Sequence, residues 1–298
     1  MTGIIIVNKP EGWTSHDIVA KLRRILGERR IGHGGTLDPM ATGVLPVALG
    51  GATRFIELLP THKKAYKATF RLGLVTDTLD IWGTVTEETG KTASFDDVLK
   101  VLPQFTGKIK QVPPMYSALK KDGVRLYELA RQGVEIEREE RECEIFELNV
   151  EKISENEFSI YTECSSGTYI RSLIYDIGEA LGTGATMTSL NRSFACGINE
   201  SECITLAELE NYRDNNELEK VIIPVDKILS DKKKTEKLKE LTVKVIEGES
   251  TPRGRIYDRN GVVLADNVTT TSLVLIPNQL EDKEKVSKLL SDALGVSK

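Results

Sequence analysis

Apolar and polar residues alternate with a period of two over several stretches of the chain, the pattern typical of β-strands with one buried face. It predicts strands over residues 66–74, 142–153 and 157–164. A polar turn at Ser154-Glu155-Asn156 separates the last two, so we expect them to pair with each other. The run Ile4-Ile5-Ile6-Val7 is apolar throughout and predicts a buried strand.

Other stretches carry apolar residues at helical spacing. The clearest begins with a capping sequence at Ser15-His16-Asp17 and ends at Gly27, and another spans residues 169–181 and ends at Gly182. Two more helices are predicted over residues 94–102 and 123–132. Strands and helices mix without regular βαβ alternation, which predicts an α+β fold with a mixed, largely antiparallel sheet flanked by helices.

A segment rich in glycine and proline, Gly32 to Pro46, interrupts these patterns. Its four glycines and two prolines predict a loop, and argue against both a helix and a central strand. Asp38 is the carboxylate of this loop, and Pro39 after it favours extended backbone. The loop alone leaves two interpretations open: Asp38 caps a structural turn, or the stiff backbone presents it to a large substrate as a nucleophile.

Composition narrows the class of protein. The 298 residues are 40% hydrophobic and 29% charged, typical of a globular protein with a buried core. The short apolar run near the N-terminus has no basic lead, so we expect neither a signal peptide nor a membrane span. The four cysteines are scattered without C-x-x-C spacing, which predicts free thiols and no zinc site.

The net charge of −5 excludes a surface that is basic throughout, but it leaves room for a local nucleic-acid site. Three groups of basic residues are candidates, although each by itself is also what a solvated face looks like. They are Lys21, Arg23, Arg24, Arg29 and Arg30; His62, Lys63, Lys64, Lys67 and Arg71; and Lys108, Lys110, Lys120, Lys121 and Arg125.

Several motifs, in order, resemble the TruB family of tRNA pseudouridine synthases over residues 3 to about 228. The loop around Asp38 resembles the family's catalytic loop. The other matching motifs are Asn8-Lys9-Pro10, Gly12-Trp13-Thr14-Ser15, residues 64–68, Gly73, Thr76-Asp77-Thr78 with Asp80 and Gly83, residues 112–120, and residues 166–173. The resemblance implies the pseudouridine synthase fold and an isomerase that converts uridine 55 in the T loop of tRNA to pseudouridine.

The resemblance also assigns roles to single residues. It implies that Asp38 is catalytic and that Arg171 is its partner, a guanidinium able to hold the carboxylate bidentately. Tyr66 would stack on the flipped base and Leu190 would close the pocket. His33 would contact the RNA and help to hold the loop open, and Lys9 would support the catalytic loop. The list of expected site residues is therefore Asp38, Tyr66, Arg171, His33, Leu190 and Lys9.

The same resemblance implies no cofactor and no metal, a tRNA T arm as partner, no membrane contact, a monomer and a cytoplasmic location. It leaves open whether Asp38 attacks ribose C1′ or uracil C6, or works by a glycal route. An alternative from another class is a tRNA-binding RNA chaperone that does not need catalysis.

The end of the chain departs from this pattern. We expect a catalytic domain over residues 1–228, a charged linker or helix over 229–249, and a small β/α segment over 250–298. The stretch from Pro252 to Ala265 resembles the N-terminal segment of penicillin-binding proteins instead of a clear PUA domain, with a turn at Arg259-Asn260-Gly261. The segment is therefore either a degenerate PUA-like unit or foreign, and the foreign origin is favoured. Cell-wall binding is disfavoured, since we expect no export signal.

Overall fold

The protein is described by a computed structural model over residues 1–60, 62–121 and 123–229, together with residues 256–257 and 263–265. The chain divides into two compact units, Met1–Leu229 and Ser230–Lys298.

The first unit contains strands of two to twelve residues. They are β1 Gly3–Lys9, β2 Ile31–His33, β3 Thr42–Leu49, β4 Lys63–Leu72, β5 Leu74–Thr76, β6 Val85–Glu88, β7 Gly107–Gln111, β8 Lys120–Lys121, β9 Val124–Arg125, β10 Arg141–Lys152, β11 Glu157–Ser165, β12 Ala185–Ala195 and β13 Ile198–Asn199.

Its α-helices are α1 Ser15–Leu26, α2 Phe95–Val101, α3 Leu126–Arg131, α4 Ile170–Leu181, α5 Leu206–Asp214 and α6 Val225–Leu229. Short 3-10 turns lie at Gly50–Leu58, Leu102–Phe105, Glu200–Glu202 and Leu218–Lys220. In the described part of the chain, no helix is long and apolar enough to cross a membrane.

The main sheet runs in the order β1-β3-β12-β4-β11-β10-β7, with β2 beside β3 and β13 beside β12. Its pairings are antiparallel except for the short parallel contact between β12 and β3. The predicted α+β class with a mixed, largely antiparallel sheet is confirmed. The predicted pairing across residues 154–156 is confirmed as well, by β10 and β11.

The apolar alternation buries one large core against the sheet. This core joins the inner face of α1, through Ile18 and Leu22, to the inner face of α4, through Leu173 and Ile177. Phe70 on β4 stacks at 5.5 Å on Phe158 of β11 and is fully buried. The sheet and these two helices therefore form one rigid support for the loops at the sheet edge.

Helix boundaries follow their capping residues, with one correction. The N-cap of α1 is Thr14, one residue before the predicted cap, because Thr14 and Asp17 satisfy each other's backbone N–H groups in a capping box. Gly27 and Gly182 end α1 and α4 in the left-handed conformation, as predicted. The segment predicted over 123–132 is helical only in α3, since Val124–Arg125 pairs with β8.

The prediction that residues 32–46 exclude a central strand is wrong for its second half. Strand β3 is buried and lies between β1 and β12. Pro46 is tolerated because it lies just beyond the last β2 pair, His33↔Val47, and its carbonyl still accepts from the Gly34 N–H at 2.8 Å. Gly43 is required, since a Cβ there would lie 2.3 Å from the carbonyl oxygen of Arg192 on β12.

Of the second unit, the structure describes one strand pair. Strand β14, Ile256–Tyr257, pairs antiparallel with β15, Val263–Ala265, and the two strands flank the predicted turn. That turn, at residues 259–261, and residues 230–249 of the predicted charged linker or helix lie outside the described residues.

We predict that Gly43→Ala destabilises the protein by roughly 2–5 kcal/mol, since it adds a clash with the Arg192 backbone to left-handed strain at a φ of 99°. Urea unfolding measures this loss. The matched control is Gly133→Ala, at a φ of 72° with no atom within 4 Å, where strain alone should cost about 1–2 kcal/mol. Equal losses at the two positions would contradict the close approach of β3 and β12.

Candidate active site

One buried ammonium group, that of Lys9, fixes the loop that carries Asp38 through hydrogen bonds to its backbone. Lys9, the last residue of β1, is fully buried. Its Nζ donates to the carbonyl oxygens of Pro10 at 3.0 Å, Pro39 at 3.1 Å and Ala41. Because two of these carbonyls lie just after Asp38, Lys9 holds the backbone next to the carboxylate.

A second set of contacts comes from the start of α1. The Ser15 hydroxyl accepts from the Leu37 N–H at 2.9 Å and lies 3.2 Å from the Leu37 carbonyl oxygen, to which it donates. The Gly12 N–H donates to the Pro39 carbonyl at 2.9 Å. The residues on both sides of Asp38 are therefore anchored, and the Asp38 side chain keeps 34% of its surface exposed.

Arg171 lies next to Asp38 and contacts it through one nitrogen only, so the contact is not bidentate. It is the second residue of α4, and its side chain is 4% exposed. Its Nη2 lies 2.8 Å from Asp38 Oδ2 and donates to the Tyr116 carbonyl at 2.9 Å. Its Nη1 donates to the Thr78 carbonyl at 2.9 Å and lies 3.6 Å from Asp80 Oδ2.

Asp80 lies at the site, although the sequence analysis assigns it no role. Its Oδ1 accepts from the Thr78 hydroxyl at 2.9 Å and from the Trp82 N–H at 3.1 Å. Burial raises the pKa of the Asp80 carboxyl, and the nearby Arg171 guanidinium opposes that rise. Asp80 belongs to a quoted motif, but its contact with a residue 91 positions later could not be found from local pattern.

The turn that carries Asp80 is strained and docked on the sheet. Leu79 has a φ of 63°, unusual for a residue other than glycine. The Ile81 N–H donates to the Met187 carbonyl at 2.8 Å, and the Met187 N–H donates to the Leu79 carbonyl at 3.2 Å. Strand β12 therefore fixes the strained turn, and the turn supplies the second carboxylate to Arg171.

Tyr66 and Leu190 lie on adjacent strands near the same end of the sheet. Arg192 of β12 stands opposite Tyr66 of β4, and Leu190 stands opposite Ala68, so that Tyr66 and Leu190 are diagonal neighbours. Both side chains are 7% exposed. Burial raises the pKa of the Tyr66 hydroxyl, with a smaller contribution in the same direction from the Asp38 carboxylate.

His33 lies on β2 and packs against α1. Its ring meets that of His16 edge-on at 6.0 Å, and its Nδ1 is buried with no hydrogen-bond partner among the described residues. Burial lowers the pKa of His33, with help from the His16 and Arg192 charges. Within the described ranges, no hydrogen bond or ion pair joins His33 to Asp38 or Arg171.

This arrangement presents one carboxylate whose charge is balanced and whose second oxygen is available. Asp38 Oδ2 is taken by Arg171, while Oδ1 has no hydrogen bond with any described residue. An ionised, fixed oxygen at a partly open site suits nucleophilic attack or proton abstraction. No cluster of three or more potential metal ligands occurs in the part of the chain that the structure describes.

Comparison with known proteins now identifies the family. Residues 23–170 match the family model "TruB family pseudouridylate synthase (N terminal domain)", and residues 171–230 match "tRNA pseudouridylate synthase B C-terminal domain". The chain is also 44% identical over 279 residues to a tRNA pseudouridine synthase B of Clostridium perfringens, covering 89% of this chain and 94% of that protein. The chain belongs to the TruB family of pseudouridine synthases.

Other TruB relatives agree over the catalytic region. The tRNA pseudouridine synthase B of Clostridium kluyveri is 46% identical over 229 residues, covering 77% of this chain and 78% of that protein. That of Microcystis aeruginosa is 49% identical over 213 residues, covering 70% and 72%. Residues 249–297 instead match a model described as a penicillin-binding protein dimerisation domain, which confirms the resemblance noted in the tail.

Solved structures support the TruB fold. A Cbf5–Nop10–Gar1 complex contains a chain that matches with a TM-score of 0.62 at 27% identity, covering 94% of this chain and 84% of that chain. An H/ACA ribonucleoprotein bound to a substrate RNA containing 2′-deoxyuridine matches with a TM-score of 0.60 at 25% identity, with the same coverage. The predicted pseudouridine synthase fold is confirmed.

We predict that Lys9 makes stability depend on pH in a defined window. Burial lowers the pKa of Lys9 from 10.5 to about 8, so between these values the unfolded chain binds more protons than the folded one. The free energy of unfolding should therefore rise with pH from about 8 to 10.5, by up to roughly 3 kcal/mol, through this residue.

The matched control is Lys9→Met, which keeps a long side chain without an ionisable group. Urea unfolding of both proteins across the window isolates the contribution of Lys9, because all other titrating groups are shared. The wild type should gain stability relative to the variant as the pH rises. A constant difference from pH 7 to 11 would contradict a buried, charged Lys9.

Proposed function

We propose that this protein is a tRNA pseudouridine synthase that isomerises uridine 55 in the T loop of tRNA, acting as a monomer in the cytoplasm without a metal or cofactor. The carrying observation is Asp38 itself. Its carboxylate sits in an anchored loop, one oxygen is 2.8 Å from the buried Arg171, and the other oxygen is without a partner among the described residues.

The conversion of uridine to pseudouridine requires few catalytic groups besides such a carboxylate. The N1–C1′ bond of uridine breaks, the uracil turns, a C5–C1′ bond forms, the C5 proton leaves and N1 gains a proton. Nothing is oxidised, and no group is added. Asp38 can serve by attacking ribose C1′, by attacking uracil C6, or by removing a proton along a glycal route, and all three need an ionised, positioned oxygen.

Arg171 meets that need by compensating the charge. A carboxylate buried against a base would otherwise have its pKa raised, because burial disfavours the charged form. Arg171 is held by four groups, of which Asp38 is one. Its positive charge, 2.8 Å from the carboxylate, offsets the cost of burying that carboxylate when substrate excludes water.

The uridine must leave its stack to reach Asp38. We propose that Tyr66 stacks on the extracted base and that Leu190 closes the pocket from the adjacent strand. Their shared end of the sheet, and the effect of the Asp38 charge on Tyr66, support this arrangement. The ring of His33 lies 6.0 Å from that of His16, and within the described ranges it has no hydrogen bond or ion pair with Asp38 or Arg171. His33 is proposed to contact the RNA around the extracted base.

We predict that Asp38→Asn lowers turnover by more than about a thousandfold while a T-arm stem-loop still binds within a few-fold of wild type. Arg171 keeps its contacts with Asp80, Thr78 and Tyr116, so the site should stay folded. Release of tritium from [5-³H]uridine reports turnover, and filter binding reports affinity.

The same variant separates catalysis from a chaperone role. An RNA chaperone would keep its refolding activity in Asp38→Asn, and wild type would show no tritium release. Wild-type turnover in the variant would sink the assignment of Asp38. The matched control is Asp77→Asn. Asp77 lies near the site, and among the described residues its carboxylate accepts a hydrogen bond only from the Thr84 N–H, at 2.8 Å.

We also propose that residues 250–298 are foreign to this activity and that residues 1–228 form the catalytic domain. A match to a penicillin-binding dimerisation domain at 249–297 supports this, as does the match of residues 171–230 to the family's own C-terminal domain. The part of the tail that the structure describes is two short strands, which are marginal by themselves as a binding module.

We predict that a chain ending at residue 249 binds tRNA and turns it over within about twofold of wild type, since no site residue lies in the tail. Filter binding and tritium release on both proteins test this. A loss of tRNA affinity of tenfold or more would instead identify the tail as a degenerate PUA-like module that grips the acceptor stem.

A further inference from the structure

Arg192 is a buried cation without a counter-charge. Its side chain is among the largest that are fully buried, at 1% exposure. Its Nε donates to the Val44 carbonyl at 2.8 Å and its Nη2 to the Gly35 carbonyl at 3.1 Å. Among the described residues it forms no ion pair with any carboxylate. Its other polar contact is a hydrogen bond with the Tyr66 hydroxyl. Burying a charge that is compensated only by two carbonyls and a hydroxyl is costly, so the burial of Arg192 needs an explanation.

Lys64 adds a second cation beside the first. It is half-buried on β4, and its Nζ has no hydrogen bond or ion pair with any described residue. Burial lowers the pKa of Lys64, and the charge of Arg192 lowers it further. Two like charges therefore share a partly desolvated region, an arrangement that an incoming anion would relieve.

The two cations converge on one empty point. Gly35 has a φ of +79°, and a Cβ built on it would lie 3.5 Å from Arg192 Nη1 and 3.7 Å from Lys64 Nζ. Gly35 and its chain neighbours aside, no other described heavy atom lies within 4 Å of that point. The missing side chain leaves a cradle in which two donors lie within 3.7 Å of one point.

The cradle adjoins the proposed base pocket. Lys64 and Tyr66 are alternate residues of β4 and so share a face, and Arg192 stands directly opposite Tyr66. Two residues along a strand span roughly 6.6–6.8 Å. Gly35 lies three residues before Asp38 on the catalytic loop. An anion in the cradle would thus sit within one nucleotide's reach of a base held by Tyr66.

We infer that Lys64 and Arg192, over Gly35, form a phosphate subsite that holds one phosphate of the RNA strand next to the extracted uridine. This rests on the proposed function. A guanidinium and an ammonium both suit phosphate oxygens, and the glycine lets the strand approach the loop closely. Fixing that phosphate would orient the extracted nucleotide before chemistry begins.

The test compares Lys64→Gln with Lys67→Gln, an exposed lysine on the opposite face of the same strand. Lys64→Gln should weaken binding of a T-arm stem-loop about tenfold. It should also reduce the magnitude of the slope of log affinity against log salt concentration by about 1, the amount that one lost phosphate contact produces. Lys67→Gln should change the affinity far less, and Lys64→Arg should retain most of it. An unchanged affinity and slope in Lys64→Gln would overturn the subsite.

Neutral linkages locate the phosphate. Each linkage within two nucleotides of the target uridine is replaced, one at a time, by a methylphosphonate. At one linkage wild type should lose about tenfold in affinity while Lys64→Gln loses little more, because the two changes remove the same contact. Independent losses at every linkage would show that Lys64 contacts no single phosphate, and the inference would fall.

Stability and turnover complete the test. Urea unfolding should find Lys64→Gln at least as stable as wild type, because the variant removes repulsion from Arg192, whereas a structural lysine would lose stability. Tritium release by wild type on the same stem-loop keeps the two proposals apart. If wild type turns over the stem-loop but no linkage is found at which neutralisation and Lys64→Gln remove the same contact, only the subsite is overturned. If wild type releases no tritium, both the proposed function and the subsite are overturned.

Discussion

The site depends on one buried guanidinium, that of Arg171 on α4, which contacts three other parts of the chain. Arg171 joins the catalytic loop through Asp38, the strained turn through Asp80 and the Thr78 carbonyl, and the segment after β7 through the Tyr116 carbonyl. A buried cation is tolerated only when its donors are satisfied and its charge is balanced. Each of these segments is therefore held in place by the need to satisfy the same buried guanidinium.

Rigid anchoring explains why a loop so rich in glycine can position a catalytic oxygen. Lys9 and Ser15 fix the backbone on either side of Asp38 from strand and helix ends, which are set by the packed core. Positioning groups that are themselves locked is what preorganised catalysis requires. Glycine here serves close approach and not mobility: Gly43 lets β3 meet the Arg192 backbone, and Gly35 leaves the space on which two cations converge.

Local sequence patterns predicted those features of the fold that depend on residues close together in the sequence. The β10–β11 pair and the Gly182 end of α4 followed from alternation, a polar turn and a left-handed cap. Strand β3 did not, because Gly43 and Pro46 oppose strand propensity, and only the distant β12 explains both. Asp38 and Arg171 were singled out by resemblance alone, and the structure places them 2.8 Å apart. The role of Asp80 could not be predicted, since it depends on a partner 91 residues away.

Charge distribution resolves how an acidic chain can serve an RNA substrate. Several lysines of the predicted basic groups are neutralised: Lys21 pairs with Glu210, Lys108 with Glu142 and Lys110 with Glu140. These exposed pairs contribute little to stability and lower the local positive potential. Lys64 and Arg192 have no carboxylate partner among the described residues and flank the loop that carries Asp38, where partial burial weakens screening by water and salt. A net charge of −5 is therefore compatible with a local positive potential beside this loop.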